Sequence, residues 1–193
     1  MKRTVGWLGL VVVPLALAQA PASPFAIEHF SATMQMAAGP AGAMAMKIYK
    51  SGDEYRTDMP SGGYMVMNLA THKSFMVMPT GMCMEMPMQM GAGRGPNPFA
   101  AHGTVTVEPL GSDTIDGHAC RVERVTVTTP KEAPQVMKVW SATDLEGFPL
   151  RVETESNGHT MQINYKDVSL AAPAASLFTQ PANCRTMPGM PGR

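Results

Sequence analysis

The chain has 193 residues, enough for one domain with a substantial core. Its 15 basic and 15 acidic side chains give a formal net charge of zero. This balance lacks the basic footprint of a nucleic-acid-binding protein, so we expect no nucleic-acid partner.

The first twenty residues have the pattern of a secretory signal peptide. Lys2 and Arg3 precede an apolar run, and the small side chains of Ala18 and Ala20 suit the positions that a signal peptidase recognises. We expect cleavage before Pro21, which leaves 193 minus 20, or 173, residues in the periplasm or outside the cell. No cysteine lies at this junction, so no lipid anchor is expected; a retained N-terminal anchor is the alternative. No second apolar run is long enough to span a membrane.

Beyond residue 20, short runs of alternating or apolar residues are separated by Gly, Pro, Asp and Asn, which is typical of an antiparallel meander. The predicted strands cover residues 25–36, 43–50, 54–59, 64–69, 74–78, 82–90, 104–111, 118–129, 135–142, 149–156 and 159–168. Asn157-Gly158, between the last two, is the strongest hairpin signal. Residues 91–103 are predicted to be a loop, because Pro96 and Pro98 forbid the helix that a phosphate-binding glycine motif requires.

The end of the chain departs from this pattern. AAPAASLF, residues 171–178, is predicted to form one short helix, and residues 186–193 a flexible Met/Pro/Gly tail after a domain that spans 21–185. Ten or eleven strands with hardly any helix predict a mainly β protein, either one curved antiparallel sheet or an incomplete barrel. Its apolar face must be covered by a helix, a second sheet or a ligand.

The three cysteines are Cys83, Cys120 and Cys184. An oxidising compartment favours pairing, and an odd count leaves one thiol over. No C-x-x-C motif is present, so neither thioredoxin-like chemistry nor a compact zinc site is indicated. We predict a Cys120–Cys184 disulfide with Cys83 free, while the sequence leaves the other pairings open.

Four segments resemble motifs of a bacterial domain-of-unknown-function family, DUF4412. DTIDGHACRVERV resembles its G-x-x-C strand start, and KVWSATDLEGFPLRVE its W-x-x-x-D-L-x-G-x-P-L run. SFMVMPTGMCMEMP resembles its apolar segment ending in E-x-P, and SLFTQPANC its closing F-x-x-P turn. These are turn and packing signatures, none of them catalytic, and the resemblance covers roughly residues 25 to 185, a single domain.

That family is similar in fold to the periplasmic lipoprotein carrier LolA, an incomplete barrel whose apolar interior is capped by helices. The resemblance implies an exported protein with a hydrophobic concavity. Two features depart from the family pattern. Cys83 stands where the family tends to have an aromatic residue, and helix-forming sequence is scarce, so we expect a short or absent helical lid.

Methionine occurs 19 times, and its spacing is the most informative feature of the chain. Pairs two residues apart recur at Met34/Met36, Met44/Met46, Met65/Met67, Met76/Met78 and throughout MCMEMPMQM, residues 82–90. Residues two apart on a strand point to the same face, about 6.6 Å apart. If these strands pair in order, their methionines form one continuous thioether-lined surface.

This surface has several interpretations. One interpretation is ordinary core packing, although Leu or Val would prefer a strand more strongly than Met does. The other is a concavity for a lipid or an acylated peptide, because flexible methionines adapt to varied apolar partners. The predicted lining residues are Met65, Met67, Met82, Met84 and Met86. Sacrificial oxidation of exposed methionines needs no defined site.

Thioether sulfur also selects Cu(I), so a methionine-rich copper-binding protein is the alternative function. Its predicted ligands are Met82, Met84, Met86, Met88, Met187 and Met190. The last two lie in MPGMPG, which cannot pack as a strand.

No catalytic signature is present: the chain lacks G-x-S-x-G, H-E-x-x-H and P-loop motifs. The histidines, His29, His72, His102, His118 and His159, form no i, i+2 or i, i+4 pair, and only His72 lies between two methionine-bearing strands. We therefore expect a non-enzymatic protein without a cofactor that binds or carries a hydrophobic small molecule or lipid in the cell envelope.

Overall fold

The computed structural model describes residues 25–37, 43–87, 103–129, 133–156 and 159–186. The described chain forms one sheet of twelve strands and a single 3-10 turn, Ala175–Phe178. The strands are β1 His29–Ala37, β2 Ala43–Ser51, β3 Glu54–Asp58, β4 Tyr64–Asn68, β5 Lys73–Val77, β6 Cys83–Pro87, β7 Thr104–Ile115, β8 His118–Thr128, β9 Gln135–Ala142, β10 Phe148–Ser156, β11 His159–Ser169 and β12 Arg185–Thr186. No helix in the described ranges is long and apolar enough to cross a membrane.

The strand order is β12-β6-β5-β4-β3-β2-β1-β11-β10-β9-β8-β7. The chain meanders from β1 to β6, continues at the far edge with β7, and returns strand by strand until β11 pairs with β1. Neighbours are antiparallel except β6 and β12, which are parallel. The predicted mainly β fold, a curved sheet that does not close, is confirmed.

All eleven predicted strands are present, most with ends within two residues of the prediction. Ser156 pairs with His159, which confirms the hairpin predicted from the Asn-Gly step between them. The predicted C-terminal helix is reduced to the 3-10 turn, since Pro173 leaves too few residues for a stable α-helix. Strand β12 was not predicted from the Pro-rich end, and it includes Thr186, the first residue of the predicted tail.

Much of the main core, including Phe30, Tyr165, Val139 and Val152, lies on one side of the sheet, which we call the inner face. At its centre Phe148 packs edge-to-face against Phe30 and Tyr165, with ring centroids 5.0 and 5.6 Å away. Val139 of β9 and Val152 of β10 extend this core and are almost completely buried. Large apolar side chains from both halves of the chain therefore share one core.

A second, smaller cluster lies on the outer face of β4 to β6. It contains Val66, Phe75, Val77 and Cys83, and Phe178 of the 3-10 turn is buried among them. The C-terminal segment, residues 175–186, therefore packs against the outer face of the methionine-bearing half of the sheet.

The predicted Cys120–Cys184 disulfide is wrong. Cys83 is bonded to Cys184, with their Cα atoms 4.4 Å apart, and Cys120 is a buried free thiol. The pairing follows from topology, because Arg185 lies opposite Met84 and so brings Cys184 beside Cys83. Cys120 lies on β8, next to the opposite edge of the sheet.

Candidate functional site

The methionines of β1, β2, β4, β5 and β6 share the inner face. Phe30 of β1 is part of the main core and defines this face. Directly paired residues of neighbouring strands point to the same side of the sheet, so the pairing from β1 across to β6 places these methionines on the side of Phe30. These five strands place nine methionines there, Met34, Met36, Met44, Met46, Met65, Met67, Met76, Met84 and Met86, and we call the surface they form the methionine face. The predicted continuity of the thioether-lined surface is interrupted at β3, which contributes Tyr55 and Thr57.

On β4, β5 and β6 the methionines form rows across the strands. Met76 lies directly opposite Met65 on one side and Met84 on the other. In the next row Ser74 separates Met67 from Met86. Directly opposed residues of antiparallel strands have Cβ atoms about 4.5–5.5 Å apart, so these side chains are neighbours.

On β1 and β2 the methionines form a block of four. Met34 lies opposite Met46, and Met36 opposite Met44. On the other side of β1, Met34 lies opposite Tyr165, so the block adjoins the main core. Strand β2 pairs with β3 from Lys47 onward. Met44 and Met46 precede Lys47, so in the described sheet they have no paired residue on β3.

The methionine face is only partly covered. Met67 is 8% exposed and belongs to the main core, and Met34, Met36 and Met65 pack against that core. The remaining five belong to neither core cluster: Met46, Met76, Met84 and Met86 are half-buried, and Met44 is 51% exposed. Among the described residues, the inner face of β2 and β4 to β6 therefore presents apolar side chains that no core cluster includes.

Four of the five predicted lining residues, Met65, Met67, Met84 and Met86, lie on this face. Met82 instead closes the turn before β6, where its carbonyl oxygen accepts a hydrogen bond of 2.8 Å from the Met78 amide, and its side chain is 53% exposed. It borders an open pocket of about 370 Å³ beside the disulfide.

The structure describes only some of the predicted copper ligands. Met84 and Met86 lie on the methionine face, whereas Met88, Met187 and Met190 lie outside the described residues. His72 is exposed in the β4–β5 turn with φ of +53°. In the described part of the chain, no group of three or more His, Cys, Asp or Glu side chains could hold a metal ion.

A buried lysine, not predicted from the sequence, lies on the inner face. Lys50, 8% exposed, lies between Phe30 and Tyr55 in the strand register. Its Nζ donates hydrogen bonds to the carbonyl oxygens of Ile27, at 2.6 Å, and Glu28, at 3.3 Å. Burial lowers the pKa of Lys50, and the charges of Glu28 and Asp53 oppose that shift. In the sequence, Lys50 continues the every-second-residue pattern of Met44, Met46 and Ile48. This pattern puts Lys50 at an inward position and is the sequence signal for a buried lysine.

A buried carboxylate lies in the other half of the sheet. Glu123 of β8 is 4% exposed and accepts hydrogen bonds from Ser141 Oγ at 2.7 Å and from Arg121 Nε at 3.2 Å. Lys50 and Glu123 are thus both engaged by protein partners, which is the usual condition for a charged group in a protein interior.

Comparison with known proteins gives a family and a shared fold. Residues 30–146, more than half of the chain, match the model of a domain of unknown function, DUF4412. No curated protein matches the sequence.

Two solved structures have a similar fold, and a third aligns with a lower TM-score. An uncharacterized conserved protein from Thermus thermophilus aligns over 84% of this chain and 91% of its own, with a TM-score of 0.55 and 12% identity. The Pseudomonas aeruginosa MucA/MucB complex contains a chain that aligns over 85% of this protein and 59% of its own length, with a TM-score of 0.51 and 12% identity. A LolA superfamily protein from Nitrosomonas europaea aligns over 81% and 92% of the two chains, with a TM-score of 0.42 and 14% identity.

Proposed function

The chain belongs to the DUF4412 family of domains of unknown function, and on that premise we propose that it is a non-enzymatic protein of the cell envelope that binds or carries a hydrophobic ligand. The ligand is a lipid or an acylated peptide, and its acyl chain lies on the methionine face. The two ligand classes share this chain and differ in what is attached to it.

The proposal rests on the contrast between the two faces of β2 to β6. On the outer face, the apolar side chains of Val66, Phe75 and Val77 are buried beneath the C-terminal segment. On the inner face, Met46, Met76 and Met84 remain half-buried, and Met44 is 51% exposed. Apolar side chains that are grouped on one face and left outside the cores offer a surface to an apolar ligand.

The residue type supports a flexible ligand. Methionine is unbranched and polarizable, so its side chain repacks around partners of different shape. Valine would cover the same sheet positions with a stronger preference for strand structure. Repeated use of methionine at inward positions therefore favours adaptable binding over packing alone.

Export is supported by two independent features. The N-terminal twenty residues have the composition of a signal peptide. The Cys83–Cys184 disulfide is the kind of bond that persists in an oxidising compartment such as the periplasm. Both favour a location where lipids and acylated peptides cross an aqueous space.

The experiment titrates the exported, purified chain with a fluorescent long-chain fatty acid and, separately, with a palmitoylated peptide. Native mass spectrometry of the untreated protein tests for a retained lipid. Met44→Gln/Met84→Gln removes two apolar side chains from the methionine face. Val136→Gln is the matched control, since Val136 on β9 is also 51% exposed but faces the other side of the sheet.

We expect saturable binding that the double variant weakens by about tenfold or more, which corresponds to about 1.4 kcal/mol, while the control binds like the wild type. Preference for the peptide over the free acid would identify an acylated peptide as the ligand class. Absence of saturable binding to both probes, or equal loss in the control, would contradict the proposal.

A further inference from the structure

We infer that the block of four methionines on β1 and β2, Met34, Met36, Met44 and Met46, is a binding site for one soft monovalent cation, Cu(I) or its analogue Ag(I). The inference goes beyond the proposed function, because it needs the sulfur atoms and not merely an apolar surface. It also places a metal at residues other than the copper ligands predicted from the sequence.

The strand register brings the four side chains together. Met34 is paired with Met46, and Met36 with Met44, on the same face of one hairpin. Paired positions place Cβ atoms about 4.5–5.5 Å apart, and positions two apart on a strand are about 6.6 Å apart. Each methionine has three rotatable side-chain bonds, so three or four sulfur atoms can converge on one ion above the block.

The chemistry of the block is selective. Thioethers are soft, neutral ligands that favour Cu(I) over harder divalent ions. On β11, the residues paired with Met34 and Met36 are Tyr165 and Ile163. Both are buried in the main core, and they supply no carboxylate or imidazole. Within the described ranges no cluster of His, Cys, Asp or Glu offers a competing metal site. A hard cation therefore has no ligand set at this place.

The exposure of the block suits uptake from solution. Met44 is 51% exposed and Met46 is half-buried, while Met34 and Met36 pack against the main core. Two of the four side chains are thus packed against the core, and the other two precede Lys47, the first residue of β2 that pairs with β3. Packing alone accounts for the first two methionines but not for an exposed methionine at position 44.

The test is an anaerobic titration of the exported chain with Cu(I) against a colorimetric Cu(I) chelator, repeated with Ag(I). Met36→Leu/Met44→Leu removes two sulfurs from the block and preserves its apolar character. Met65→Leu/Met76→Leu is the matched control, since Met65 and Met76 are also directly opposed on the methionine face. X-ray absorption at the copper edge reports the ligand atoms of the bound ion.

We expect one Cu(I) per chain in a sulfur-only environment, an affinity lower by about tenfold or more in Met36→Leu/Met44→Leu, and no change in the control. Wild-type protein that fails to compete with the chelator would overturn the inference, as would equal losses in the two variants or full binding in the first. Fatty-acid binding is measured on the same leucine variants. Because leucine keeps the surface apolar, unchanged fatty-acid binding alongside absent Cu(I) binding would reject the metal site without affecting the carrier proposal.

Discussion

Cys83 and Cys184 form a disulfide that joins β6 to the C-terminal segment across 101 residues of sequence. The bond lies beside the only parallel strand pair in the described sheet, β6 with β12. Phe178, Gln180 and Thr186 of the same segment contact the outer face or edge of the methionine-bearing strands. The disulfide therefore stabilises the half of the sheet that displays the methionine face.

Removing this disulfide is expected to destabilise the protein considerably. Cys83→Ala/Cys184→Ala should lower the free energy of unfolding by about 2–5 kcal/mol, because a cross-link that closes a long loop restricts the unfolded chain. Urea denaturation monitored by tryptophan fluorescence measures the change. An unchanged midpoint would show that the bond has no stabilising role.

The cysteine pairing is tested directly by counting thiols. We expect one reactive thiol per chain in the denatured, unreduced protein, that of Cys120, and very slow labelling of it in the folded protein. Cys120 is 2% exposed, and burial raises the pKa of its thiol, so both access and thiolate content are low. Peptide mapping that links Cys120 to Cys184 would refute the assignment.

Arg56 holds the C-terminal segment from the sheet side. Its guanidinium carbon lies 3.7 Å from the centre of the Tyr64 ring, and its Nη1 donates a 2.9 Å hydrogen bond to the carbonyl oxygen of Leu177. Arg56→Ala should cost about 1–3 kcal/mol and increase proteolytic cleavage within residues 175–186. Arg56→Lys should restore little, since lysine lacks the planar donor group. Equal protease resistance in all three proteins would contradict this role.

Glu85 is expected to make the attachment of the segment sensitive to acid. Hydrogen bonds from Gln180, at 2.6 Å, and Thr186, at 2.9 Å, lower the pKa of Glu85 below its ordinary value. A carboxyl whose pKa is lower in the folded state stabilises the fold above its unfolded pKa of about 4.3, and that stabilisation is lost as the pH falls through the lowered value. We therefore expect Glu85→Gln to reduce the loss of stability between about pH 5 and 3. The measurement compares urea midpoints across this range with those of Glu155→Gln, an exposed control on β10; parallel curves for wild type and Glu85→Gln would oppose the assignment.

Ser141 is expected to stabilise the fold through its hydrogen bond to Glu123. Ser141→Ala removes the 2.7 Å hydrogen bond to a carboxylate that is 4% exposed, which should cost about 1–3 kcal/mol. Ser112→Ala on the exposed edge strand β7 is the control and should stay within about 0.5 kcal/mol of wild type. Thermal and urea unfolding measure both, and similar small effects would show that Glu123 finds another partner.

Much of the sheet follows from local sequence. Alternating residues between Gly, Asp and Asn turns located eleven strands, because period-two burial and turn chemistry act over a few residues. The same period placed Met65, Met67, Met84 and Met86 on one face. Strand order was predictable only where hairpins connect consecutive strands.

Contacts between distant segments were not predictable from local patterns. The two residues of β12 pair with β6 and bring Cys184 beside Cys83, and Phe178 of the same segment is buried in the outer cluster; no local pattern in the sequence indicates these contacts. The burial of Lys50 depends on carbonyl groups of Ile27 and Glu28, which precede β1. The block of four methionines likewise depends on the β1–β2 register, which the spacing on each strand does not fix alone.

The most direct test of the central claim is photo-crosslinking of the exported chain with a diazirine-bearing fatty acid, followed by mapping of the labelled residues. We predict that labels concentrate on the methionine face, at Met46, Met76, Met84 and their inward-facing neighbours, and that excess unlabelled fatty acid prevents them. Labelling that is confined to the outer face, or that excess fatty acid does not reduce, would contradict the account.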